Sequence, residues 1–156
     1  ADNRDLGNTR IYYSSEGDGK WRFLFYDCDL GFGIDSRYAS VSTVTYLYDW
    51  KKSSKICALF VRLLENQQFK DRFLKRLAEL TTTALSNQTV LGRIEELRAA
   101  IDHDMKYMVY MYSYEDWSQV KVPRLQNYVT GRGKQLQEDF AALLGLTEEE
   151  KTKYFG

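Results

Sequence analysis

One change of rhythm constrains this chain more than any other feature. Up to Gly33 its apolar residues fall in short aromatic runs, residues 10–14 and 21–26, separated by Ser-Glu-Gly-Asp-Gly-Lys. Such runs bounded by turn residues predict a β-hairpin with a six-residue connection. From Ser53 onward the apolar residues recur every three or four positions, which is the helical period. Strands first and helices afterwards is a segregated order. It predicts an α+β fold, with a small antiparallel sheet followed by a bundle of four to five helices, and not alternating βα units.

Residues 2–9 are polar and read as a loop. Residues 34–52 read as irregular, with a short strand or helix near 46–50. Ser53 or Ser54 caps a helix through Ile56, Leu59, Phe60 and Leu63. Asn66 opens the next, with Phe69, Phe73, Leu77 and Leu80 on one face. Asn87 opens a longer one carrying Val90, Ile94, Leu97, Ile101, Met105 and Met108. Pro123 belongs near the start of a helix bearing Leu125, Tyr128, Val129, Leu136, Phe140 and Leu143. Gly131 and Gly133 weaken its middle by about 1 kcal/mol each, which invites a kink or break. Thr147-Glu-Glu-Glu150 matches a capping box that starts a last short helix.

At 156 residues the chain suits one domain, long enough to bury roughly 70% of its unfolded surface. Net charge is zero and the basic residues are scattered, which argues against nucleic acid and against an anionic membrane surface. No apolar run is long enough to span a bilayer. Cys28 and Cys57 are too few for a disulfide framework, and their pairing is left open. The chain begins at Ala1 and not at a Met, so it is expected to be an internal fragment or a processed product.

The chemistry gathers where the second strand ends. Asp27 and Asp29 stand two residues apart, and period two would send them from the strand to one face. Two such acids repel unless a cation or a donor lies between them. Gly31 and Gly33 then permit a sharp turn or the close approach of a ligand. If Ser14 faces Trp21 in the hairpin, Tyr12 faces Phe23 and Asn8 falls opposite Asp27. Asp5, Asn8, Asp27 and Asp29 would thus meet at the hairpin mouth. Phosphoryl transfer needs such a set: a carboxylate for the attacking hydroxyl, and oxygen ligands for magnesium. Asp29-Leu-Gly31 also has the shape of the kinase Asp-Phe-Gly turn.

Asn3-Arg-Asp-Leu-Gly-Asn8, followed by Gly19-Lys-Trp-Arg-Phe-Leu-Phe-Tyr-Asp-Cys-Asp-Leu-Gly-Phe-Gly33, closely resembles the core of the CotH-type spore-coat kinase family. Leu63-Leu-Glu-Asn66 with residues 69–73 looks like the family's helix pair, and residues 117–132 and 140–146 look like its closing segment. The resemblance implies an atypical protein-kinase-like fold, of which this chain is the C-terminal portion. It implies phosphate transfer from ATP to Ser or Thr of a surface or coat protein, with Mg or Mn as the metal. Carried over, Asp5 is the catalytic carboxylate, and Asn8, Asp27 and Asp29 hold the metal. Hairpin register favours Asp27 as the direct ligand, whereas the Asp-Leu-Gly turn favours Asp29. The resemblance also implies an extracellular or spore-surface location.

An upstream lobe with a phosphate-covering loop and a Lys–Glu pair is expected to lie outside the 156 residues, which leaves the isolated chain with little activity. Two rival readings carry different expectations. A metal-dependent nucleotide-sugar transferase also uses Asp-x-Asp but does not need Asn8. A non-catalytic pseudokinase or interaction module would use the helices for docking. Elsewhere, His103 reads as a solvated side chain, and Met105, Met108 and Met111 read as core. Asn87-Gln-Thr89 matches a glycosylation sequon that a helix N-cap explains. Arg124 and Arg132 read as surface ion-pair partners, or as phosphate ligands if their helix faces the mouth.

Overall fold

The computed structural model describes residues 9–24, 26–27, 31–33, 42–113 and 115–156. Strands β1 (Arg10–Tyr13) and β2 (Trp21–Leu24) form an antiparallel hairpin. Seven α-helices follow among these residues: α1 (Thr43–Asp49), α2 (Lys55–Leu64), α3 (Gln67–Thr82), α4 (Asn87–Tyr112), α5 (Val122–Val129), α6 (Arg132–Leu144) and α7 (Glu148–Phe155). The architecture is α+β in the expected order. The bundle has two members more than expected because the short element near 46–50 takes the helical option as α1, and because the helix after Pro123 breaks in two, as its glycines invited. Gly131 makes that break, with φ 74° in the left-handed region, and Asn87 Oδ1 accepts from its N–H at 3.1 Å.

Cap chemistry largely decides where the helices begin. Ser54 accepts from the N–H of Cys57, Asn66 from Phe69 and Thr147 from Glu150, each satisfying an orphan donor of the first turn. Thr147 and Glu150 complete the capping box. For α4 the cap is Ser86 and not Asn87, which sits at the first helical position. Pro123 falls in the first turn of α5, where a missing N–H costs nothing.

The core joins α1, α3, α6 and α7 through Val44, Leu74, Phe140, Ala141, Leu146 and Tyr154. Phenylalanines line it edge to face: Phe73 meets Phe140 at 4.8 Å between centroids and Phe60 at 5.2 Å. Among the described residues, Leu74 and Cys57 are the largest side chains fully withdrawn from solvent, and neither belonged to the expected apolar faces. Helix α2 buries Cys57 and Leu64 while Leu59 and Leu63 remain exposed, so its inward face is rotated from the expected one. Helix α4 has no buried residue, so its expected apolar face is at most half-buried. Met108 is 38% exposed and Met111 66%, so the methionine run is not core. His103 is exposed, as expected.

The hairpin departs from expectation in two ways. Its register pairs Tyr13 with Trp21 and Tyr12 with Arg22, one residue out of step with a Ser14–Trp21 pairing. Ser14 belongs to the connection, which is one residue longer and is braced by Arg22 on Asp18 at 2.7 Å. Every strand residue is exposed, so neither face of this ribbon is a core face. The rings of Tyr13 and Trp21, direct cross-strand partners, lie 5.3 Å apart. Phe23 lines an apolar groove of about 470 Å³ with Leu59, Leu63 and Phe69, on the side of the helices.

Candidate functional site

Strand β2 ends at Leu24, three residues before Asp27. Asp27 has φ 50°, a left-handed conformation that Asp adopts more readily than most residues. The period-two argument therefore does not reach it, because the ladder stops and the backbone turns. Its side chain is exposed. Asp5, Asn8 and Asp29 lie outside the described residues, and so does the expected meeting of Asn8 with Asp27.

Residues 31–33 dock the chain onto the helical body. Gly31 and Gly33 are buried. Phe32 and Gly33 both take positive φ, 57° and 66°. A bulky residue in that region is a true outlier, held only where its surroundings over-determine it. The ring of Tyr128 presses directly on Gly33: a Cβ there would stand 2.2 Å from Cδ2. Of the two alternatives for these glycines, the sharp turn is present at 32–33, and a protein side chain makes a close approach at Gly33.

Behind Tyr128 stands a polar buttress. The Arg132 guanidinium lies 4.9 Å from the centroid of the Tyr128 ring, and Arg132 donates to Thr43 Oγ1 at the start of α1. One residue earlier, Ser42 Oγ donates to Asp139 Oδ2 of α6 at 2.6 Å. These two bonds hold α1 against α6, and Tyr128 carries their rigidity to the turn. Phe32, Thr43, Thr81, Tyr128 and Arg132 contribute to the lining of a cavity of about 90 Å³, too small for a nucleotide. On its other side Phe32 lines an apolar cleft of about 390 Å³ with Val90, Ile94, Leu97 and Leu125.

Arg124 takes the expected ion pair, 3.4 Å from Glu115, which Lys121 also holds at 2.7 Å. The Lys121 hydrogen bond, with help from both cations, keeps the Glu115 carboxyl below the usual carboxylate range. Arg132 instead serves inside the fold. Tyr128, Thr43, Ser42 and Asp139 were not singled out as site residues from sequence. Gly33 was a signal of close approach, but a glycine does not name its neighbour.

Asp5, Asn8, Asp27 and Asp29 offer only oxygen donors, the hard set suited to magnesium or manganese. Among the described residues no group of three or more His, Cys, Asp or Glu side chains stands ready for a metal. The oxygen set thus fits the metal in chemistry, with Asp27 as its described member.

The family model for CotH kinase protein matches residues 1–136, most of the chain. The chain belongs to the CotH kinase family. No curated protein and no solved structure matches it. The CotH match spans all four expected site residues, the hairpin and helices α1 to α5. Kinases of this family imply ATP, a divalent metal and a protein substrate in general, and CotH proteins are linked in general to the spore coat. No helix among the described residues is long and apolar enough to cross a membrane.

Proposed function

We propose that this CotH chain, acting as one domain, supplies the catalytic and metal-holding side chains of a kinase that phosphorylates Ser or Thr of a surface or coat protein. The observation carrying this reading is the family match over residues 1–136, which contains Asp5, Asn8, Asp27 and Asp29. Asp5 receives the proton of the attacking hydroxyl. Asn8, Asp27 and Asp29 hold magnesium or manganese. The metal neutralises charge on the phosphates of ATP, and catalysis beyond that is positioning. An exposed carboxylate on a left-handed turn, as at Asp27, suits a ligand that must be reached from solvent.

The test is transfer of labelled γ-phosphate to protein by the natural gene product. Asp5→Asn is expected to lower kcat about 100-fold or more, and Asn8→Ala to weaken Mg·ATP binding. Full activity of Asp5→Asn would sink the assignment, and glycosyl transfer from a nucleotide-sugar donor that is indifferent to Asn8 would favour the nucleotide-sugar reading. A second reading, a non-catalytic interaction module, draws on the exposed aromatic residues of the hairpin and α4, among them Trp21 and Tyr110. It predicts no magnesium-dependent ATP binding in a calorimetric titration.

A further inference from the structure

Within the turn after the aspartates, the tightest approach is the one that Tyr128 makes to Gly33. Gly33 is buried and left-handed, and no β-carbon fits between it and the Tyr128 ring. Two consecutive positive-φ residues in so short a turn do not persist unsupported, because Phe32 in that region is strained and gains nothing from its own backbone. The Tyr128 ring supplies such support at Gly33, and Tyr128 is itself braced. It sits on α5, stacked with Arg132, which is anchored on Thr43 of α1. The path from the rigid helical layers to the turn therefore runs α1, Arg132, Tyr128, Gly33.

We propose that Tyr128 is a positioning residue: its ring, pressed on Gly33 and braced by Arg132, sets the conformation of the turn and so the aim of Asp27. The link to metal rests on the functional reading above, whereas the ring-on-glycine lock does not. Gly33 lies four residues after Asp29 and six after Asp27, so a change of backbone conformation at Gly33 reaches the acids through very little chain. Groups that orient ligands without touching the metal commonly govern its affinity.

The experiment uses the natural gene product with Tyr128→Ala, Tyr128→Phe and, as a remote control of comparable stability loss, Leu146→Ala. Manganese affinity is read by electron paramagnetic resonance, and the turn by amide hydrogen exchange at Phe32 and Gly33. Tyr128→Ala is expected to weaken manganese binding about tenfold and to speed exchange at both amides. Tyr128→Phe, which keeps the ring, should match wild type, and Leu146→Ala should leave both readouts unchanged. Wild-type affinity or wild-type exchange in folded Tyr128→Ala overturns the proposal. So does an equal loss in Leu146→Ala, which would make the effect one of general stability. If Tyr128→Ala does not fold, Arg132→Gln loosens the ring without removing it and is read in its place. If wild type binds no manganese, the metal-site reading fails, and the exchange data alone decide the lock.

Discussion

At the scale of single residues, two glycines with similar backbones carry different burdens. Gly33 and Gly131 both take left-handed φ, but among the described residues a β-carbon at Gly131 would meet open space, whereas at Gly33 it would meet a tyrosine ring. Gly131→Ala is therefore expected to cost only the conformational penalty, about 1 to 2 kcal/mol. Gly33→Ala adds overpacking of about 1 to 3 kcal/mol. In a Tyr128→Ala background the overpacking part should vanish, which leaves a cost similar to that at Gly131. Chemical denaturation of the four variants as a double-mutant cycle checks this, and strict additivity would show that the ring and the glycine do not meet.

At the scale of elements, α3 and α4 have comparable apolar stripes in sequence and opposite fates in the fold. Leu74 of α3 is completely buried in the central core, while Leu97 of α4 is 50% exposed at the edge of a cleft. Leu74→Ala is expected to cost about 2 to 5 kcal/mol, a transfer loss plus the cavity left behind. Leu97→Ala should stay within about 0.5 kcal/mol, as at an ordinary surface position. Urea unfolding distinguishes these outcomes. A large loss at Leu97 would mean that α4 is covered in solution. The hairpin is the other lightly supported element, since two exposed strands have little independent stability.

At the scale of the whole molecule, the last helix closes the core onto the third. The Tyr154 hydroxyl donates to Asp71 Oδ1, which bridges α7 and α3, while its ring lies in the core. That bond is the largest influence holding the Asp71 carboxyl below its usual value, and it raises Tyr154 above its own. A depressed carboxylate contributes stability above its unfolded pKa and loses it as pH falls through the folded pKa. A raised phenol contributes below its unfolded pKa and loses it as pH rises through the folded pKa. The contact should therefore stabilise across the neutral range and fade at both the acid and the alkaline ends. Tyr154→Phe is expected to lower Tm at neutral pH and to flatten the acid limb of Tm against pH. An unchanged acid limb would show that other carboxylates govern it.

Local chemistry carried much of this protein into view from sequence. Ser54, Asn66 and Thr147 announced helix starts because a cap is a matter of a few neighbouring residues. The change from period two to period 3.6 announced the order of sheet and helices. Family membership was legible in the segment from Asn3 to Gly33 for a similar reason: its residues are close together in the chain. Tertiary structure decided the rest. A helical period marks a stripe but not which edge of it meets the body, so Leu74 and Cys57 went unnoticed while Met111 was expected inside. The hairpin slipped by one residue because the length of its turn sets the register, and six and seven residues look alike in composition. Above all, Gly33 showed that something must come close, but only packing across nearly a hundred residues of chain made that something Tyr128. A glycine's missing side chain records the need for space, and the fold alone supplies the occupant.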